Sequence, residues 1–233
     1  MERLPTPRVG MGMIKAVIFD VDGTLVDSVD LHAKAWHEAF AHFGYRTDYA
    51  AVRSQIGKGG DLIIPAFVPA GDLDTKGKAI EDWRRDHYKR HYMPKVAGLP
   101  RVPELMQRIR RDGKRIALAS SAHGDELDHY KRVAGLDDLV EVQTTADDAD
   151  KSKPFPDIFE AALAHLGLGP DEAVVVGDSP FDAIAARRAG LRVLGVLSGG
   201  FPAAELRASG AAEIYCDPCD LLDSYDRSLI ARG

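Results

Sequence analysis

Four short stretches of this chain carry side chains able to do chemistry: Asp20-Val-Asp22-Gly23-Thr24, Ser120-Ser121, Lys151-Ser-Lys153-Pro154 and Gly177-Asp178-Ser-Pro-Phe-Asp182. Carboxylates dominate the set, and no histidine or cysteine stands among them. Oxygen donors of this kind suit a hard cation such as Mg²⁺. A lysine and a serine beside that cation would complete a site for a phosphoryl group. A carboxylate attacking a phosphoryl group meets like-charge repulsion of about 4 kcal/mol per unit pair at 4 Å and an effective dielectric of 20. A cation and a lysine on the phosphoryl oxygens would offset that repulsion and align the group for in-line displacement. Asp20 could then form an aspartyl-phosphate. Asp22 could protonate the leaving oxygen and later take a proton from water, which asks for a carboxyl that exchanges protons near neutral pH.

Such a site needs elements that bring distant residues to one rim. Residues 14–19 form a short apolar run rich in β-branched side chains, and it stops abruptly at Asp20. That is the pattern of a buried strand entering a polar turn. The same pattern recurs at 114–119 before Ser120, at 139–143 before Thr144, at 173–176 before Gly177, and at 192–197 before Ser198. Helical spacing of apolar residues predicts helices over 103–111, 157–166 and 181–189, with Gly113 and Gly190 as C-terminal stops. Strands alternating with helices imply an α/β fold with a Rossmann-like parallel sheet core, in which ligands bind beyond the C-terminal strand ends.

Residues 30–96 break the alternation. Helical spacing predicts helices over 30–43 and 80–92, separated by the glycine-rich loop Gly57-Lys58-Gly59-Gly60. We read this segment as an inserted α-helical cap over the strand ends, with the catalytic core built from 14–29 and 97–233. Residues 1–13, with two prolines and three methionines, read as a loose N-terminal extension.

The chain has 233 residues, of which 45% are hydrophobic and 28% charged, enough for one or two domains. Its net charge of −6 argues against a nucleic-acid binder. The apolar runs are too short to span a bilayer. Two cysteines and no signal-like apolar stretch point to a cytoplasmic protein, expected as a monomer or weak dimer. Residues 30–96 hold 11 Lys and Arg against 9 Asp and Glu, while the remainder holds 19 against 27. An acidic core under a slightly basic lid would suit an anionic substrate. Neither a P-loop nor a G-x-G-x-x-G fingerprint is present. Cys216-Asp-Pro-Cys219 lacks the further ligands that a zinc site needs.

Taken in order, Asp20-Val-Asp-Gly-Thr-Leu-Val-Asp27, Ser120, Lys153-Pro154 and Gly177-Asp178-Ser-Pro-Phe-Asp182 resemble the four signatures of the haloacid-dehalogenase superfamily. The position of the insert resembles the helical cap of its phosphoglycolate phosphatase and β-phosphoglucomutase branch. The resemblance implies Asp20 as nucleophile and Asp22 as general acid and base. It implies Mg²⁺ held by Asp20, the Asp22 backbone carbonyl and Asp178, with Asp182 in support. Ser120, Lys153 and backbone amides around Asp22, Gly23 and Ser121 would hold the phosphoryl group, with Thr24 and Lys58 as further substrate contacts. The substrate class implied is a small phosphorylated metabolite. Because an aspartate stands at position 22, carbon–halogen and carbon–phosphorus substrates are not expected. A sugar-phosphate mutase using the same intermediate is the alternative: a mutase-type cap loop would offer an arginine near residue 60, where this chain has Gly60, but Lys58, Arg84 or Arg85 could bind a second phosphate instead. A receiver whose phosphorylated aspartate acts as a switch is the remote alternative. His32 is a candidate substrate contact, and Arg84, Arg85, Lys89 and Arg90 read as a solvated helix face.

Overall fold

The computed structural model describes residues 13–233. The expected extension 1–13 therefore lies, apart from Met13, outside the described residues. In chain order the elements begin with β1 (Ala16–Phe19), β2 (Val26–Asp27), α1 (Val29–His42), α2 (Tyr49–Arg53), α3 (Gly60–Phe67) and α4 (Ala70–His91). There follow β3 (Ala97–Gly98), α5 (Val102–Arg111), β4 (Arg115–Ala119), α6 (Gly124–Val133), β5 (Val142–Thr144) and α7 (Asp157–Leu166). The chain ends with β6 (Ala173–Gly177), α8 (Pro180–Arg188), β7 (Arg192–Val196), α9 (Ala203–Ser209), β8 (Glu213–Tyr215), α10 (Pro218–Asp223) and α11 (Leu229–Arg232).

Six strands pair in the order β5-β4-β1-β6-β7-β8, all parallel. The central strands are apolar on both sides because both sides are covered. Val17, Phe19, Ile116, Leu118, Val174 and Val176 face one packed layer, which includes α5 and α6 residues. Their alternating neighbours Ala16, Ile18, Ala117, Ala119, Ala173 and Val175 face α7 and α8. Burying each larger apolar side chain contributes roughly 1.5–3 kcal/mol. Phe19 lies level with Leu118 on one side and Val176 on the other. This register brings Asp20, Ser120 and Asp178 to one edge of the sheet.

Between β1 and β4, helices α1 to α4 build a separate apolar cluster from Val29, Trp36, Phe40, Val52, Ile63 and Ile80, among others. Chain entry and exit are joined where β2 pairs antiparallel with β3, Val26 opposite Gly98 and Asp27 opposite Ala97. Among the described residues no helix is long and apolar enough to cross a membrane.

Three sequence expectations need correcting. Helix α4 begins at Ala70, ten residues before the expected 80, because Gly71, Gly77 and dense charge conceal its periodicity. Helix α6 was not expected, since Leu127 and Tyr130 are its only large buried apolar residues. The strand expected at 139–143 is Val142–Thr144, set by pairing with Ala117 to Ala119.

Candidate active site

The strand ends deliver their polar residues into a buried cluster. Asp20, Asp178 and Asp182 each place a carboxylate oxygen within 4.8 Å of the others, and all three are buried. Asp182 stands in the first turn of α8, where its carboxylate accepts from the Ser179 amide at 3.1 Å while Ser179 Oγ accepts from the Asp182 amide at 3.2 Å. This reciprocal cap orients the carboxylate as well as starting the helix. Lys153 is fully buried and brings its ammonium to 2.6 Å from Asp20 Oδ1 and 2.8 Å from Asp182 Oδ1. It also donates to the Ala119 carbonyl at 3.0 Å. The peptide bond from Lys153 to Pro154 is cis.

Burial pushes the Asp20 carboxyl up to about 7, with the Asp182 charge adding to it and Lys153 opposing it. Burial likewise raises Asp178 well above its ordinary range, and the Asp20 and Asp182 charges reinforce it. With all three carboxylates ionised, one ammonium would leave two uncompensated negative charges, and burial together with that surplus drives Asp20 and Asp178 toward the protonated form. A divalent cation would balance those charges, and an all-oxygen donor set fits a hard one.

Glycine makes the close packing feasible. A Cβ on Gly199 would lie 1.6 Å from Asp178 Oδ2, and one on Gly23 would lie 2.5 Å from it. Gly23 also has a φ of +81°, where other residues are strained. Gly199 was missed in the sequence, although the pair Gly199-Gly200 directly after a strand end was a signal of close approach.

Asp22 turns away from this cluster. Its Oδ1 accepts from the Ser28 hydroxyl at 2.5 Å and lies 2.9 Å from His32 Nε2. Behind the ring, Arg84 donates to His32 Nδ1 at 2.9 Å. A guanidinium can only donate, so Nδ1 accepts and the ring proton sits on Nε2, aimed at Asp22. His32 stacks on Tyr88 with ring centroids 4.0 Å apart. Burial works against the Asp22 carboxylate, but contact with His32 and Ser28 and the charge of Arg84 hold its pKa below the ordinary value. A carboxyl exchanging protons near neutrality was expected. In this arrangement the group is held ionised instead, because α1 and α4 surround it with donors.

Above the cluster lies a cavity of about 280 Å³, lined by Asp20, Asp22 and Lys153 on one side and by Lys58, Glu81 and Arg84 on the other. Ser121 lines it, whereas Ser120 is fully buried with its oxygen accepting from the Ala122 amide at 3.1 Å. Thr24, expected at the phosphoryl group, is buried with its hydroxyl 3.0 Å from Asp20 Oδ2 and 3.2 Å from Asp178 Oδ1. It braces the carboxylates. Gly23, expected to offer its amide, donates that amide to the Val26 carbonyl at 2.9 Å. Lys58 donates to Gln55 Oε1 at 2.5 Å and lies over the Phe181 ring. His32 lines the cavity, but its ring nitrogens are spent on Asp22, Tyr130 and Arg84. Sequence reasoning put Arg84 on a solvated face. It is instead half-buried against Trp36 and Tyr88, a placement that depends on how α4 packs on α1. Cys216 and Cys219 are free thiols.

Residues 17–196 match the family model described as haloacid dehalogenase-like hydrolase. The chain is 32% identical over 193 residues to Protein CbbY of Rhodobacter capsulatus, covering 78% of this chain and 84% of that protein. It is 30% identical over 219 residues to the phosphoglycolate phosphatase of Rhodospirillum rubrum, covering 91% and 90% respectively. A crystal structure of a hydrolase from Pseudomonas syringae superposes with a TM-score of 0.82 at 31% identity, covering 91% of this chain and 98% of that one. With the strand-end carboxylates, the buried lysine and the cavity above them, these matches place the chain in the haloacid dehalogenase-like hydrolase family.

Proposed function

We propose that this protein is a Mg²⁺-dependent phosphatase that hydrolyses monoesters of small phosphorylated metabolites through an aspartyl-phosphate on Asp20. The observation that carries the reading is the Asp20 carboxylate, which faces the cavity while Lys153 holds it and the Asp178 and Asp182 carboxylates lie beside it. Asp20, Asp178 and Asp182 would hold the ion, with the Asp22 carbonyl beside them. When bound, Mg²⁺ would neutralise charge on the phosphoryl oxygens and on the carboxylates.

The chain's own residues divide the remaining work. Lys153 fixes Asp20 Oδ1, so the nucleophile meets the phosphoryl group in one orientation. As the Asp20 oxygen bonds to phosphorus, the ester P–O bond breaks and the leaving oxygen takes a proton from Asp22. Water then attacks phosphorus, the aspartyl P–O bond breaks, and the proton from water passes to Asp22. His32, Ser28 and Arg84 suit the second half, since they hold Asp22 as the base. A phosphoryl dianion arriving beside Asp22 opposes its charge and raises its pKa toward the proton-sharing range needed for the first half. Ser121 and Lys58 are the other cavity residues placed to contact substrate. The cytoplasm is the compartment we propose.

Hydrolysis of p-nitrophenyl phosphate with Mg²⁺, its loss in chelator and its return on adding Mg²⁺ back test the reading. No turnover in Mg²⁺ would refute it. His32→Ala is expected to lower kcat roughly 10- to 100-fold, mainly through misplacement of Asp22. KM should change little, and the titration attributed to Asp22 in the pH–rate profile should move upward. An unchanged profile would remove His32 from this role.

A further inference from the structure

We infer that Glu81 selects the organic part of the substrate: the site takes monophosphates whose leaving group carries hydrogen-bond donors and no second anion. This inference rests on the phosphatase reading above.

On the α1–α4 side of the cavity the charged groups differ in what they have left to offer. Arg84 spends one nitrogen on His32, its guanidinium lies 4.9 Å from the Trp36 ring centroid, and its Nε is buried without a hydrogen-bond partner, out of reach of a ligand. Lys58 gives one of its three ammonium hydrogens to Gln55 and sits 4.6 Å from the Phe181 ring centroid. Asp61 accepts from the Ser152 hydroxyl at 2.6 Å, which ties the glycine-rich loop to the segment before Lys153. Glu81 is half-buried and lines the cavity, yet it has no hydrogen-bond or ion-pair partner among the described residues. A carboxylate half removed from water without a donor is costly, and a ligand donor would relieve that cost.

Its position is set by the smallest residue of the loop. A Cβ on Gly60 would lie 2.6 Å from Glu81 Oε1 and 3.2 Å from Trp36. The carboxylate thus fills the space that a side chain at 60 would take, beside the edge of an indole. A polyol can donate to this carboxylate. A carboxylate or second phosphate on the leaving group would face Glu81 with like charge. At separations of 5–6 Å and an effective dielectric near 20, that repulsion alone corresponds to roughly a hundredfold, which the Lys58 and Arg84 charges on the same side of the cavity reduce.

Matched substrates test this, with kcat/KM measured for the Mg²⁺-loaded protein on glycerol 3-phosphate against 3-phosphoglycerate and on glucose 6-phosphate against 6-phosphogluconate. The wild type is expected to favour the hydroxyl member of each pair by at least about tenfold. Glu81→Gln should narrow the ratio, and Glu81→Lys should bring it to unity or invert it. A wild-type preference for the carboxylate member would overturn the inference. So would ratios unmoved by both substitutions. p-Nitrophenyl phosphate serves as the reference ester. If the wild type fails on that ester too, the phosphatase reading itself falls, whereas turnover of it with unmoved ratios condemns only the role of Glu81.

Discussion

Asp20→Asn is expected to reduce turnover of any phosphate ester by at least about 10³-fold, because the nucleophile is removed and the other cavity carboxylate at that strand end, Asp22, is tied to Ser28 and His32. The same substitution should not weaken the fold. Asp20 is buried among like charges, and its carboxyl is raised from 3.8 to about 7. A carboxyl whose pKa is higher in the folded than in the unfolded chain binds its proton more tightly when folded. Its contribution to stability is therefore fully present below about pH 4 and is lost as pH rises through about 7. In chelator at pH 8, the variant should melt at or above the wild type, by up to a few degrees, and the difference should shrink toward pH 5. Thermal melts at the two pH values check this. A lower melting temperature at pH 8 would show that the Lys153 ion pair outweighs the crowding.

Lys153→Met works in the opposite direction and should be the most destabilising single change at the site. Burial disfavours the ammonium, but Asp182 and Asp20 together keep it firmly charged. Removing it leaves three buried carboxylates with no counter-charge, and breaking a buried pair on one side costs about 3–5 kcal/mol. For a chain of this size that corresponds to a fall in melting temperature of roughly 10 °C or more. The loss should be largest in chelator and partly reversed by millimolar Mg²⁺, which supplies the missing positive charge. Turnover should fall even in Mg²⁺, since Asp20 Oδ1 loses the partner that orients it. A melting temperature within about 2 °C of wild type in chelator would contradict this account.

The contrast between these two substitutions marks what could be read from sequence. Asp20, Lys153, Asp178 and Asp182 were legible because each ends a strand or follows a loop at a spacing that a parallel sheet converts into proximity. Their protonation was not legible, because it depends on burial and on four charges converging from three separate segments. Thr24 and Gly23 were read as phosphate contacts because they sit beside Asp22 in the chain. The tight turn instead consumes the Gly23 amide and aims the Thr24 hydroxyl at the carboxylates. Arg84 was misread because helical periodicity finds apolar stripes, and α4 has few apolar residues. Its place beside His32 comes from tertiary packing, as does the placement of Glu81 over Gly60. The parallel core, with five of its six strands near the expected positions, was legible because its apolar runs are compact. The three-residue β8 was not.

The pairing of β2 with β3 has a consequence for how this chain could diversify. The insert leaves and re-enters at adjacent backbone positions, Asp27 opposite Ala97. Much of what lies between those two residues could be exchanged for a different segment, provided donors equivalent to Ser28, His32 and Arg84 remain around Asp22, while the six-strand register that places Asp20, Asp178 and Asp182 stays unchanged. Recognition of the organic group and chemistry at phosphorus are thus separately heritable: a lineage could change its substrate by rewriting residues around Gly60 and Glu81 alone, with the reaction carried forward intact.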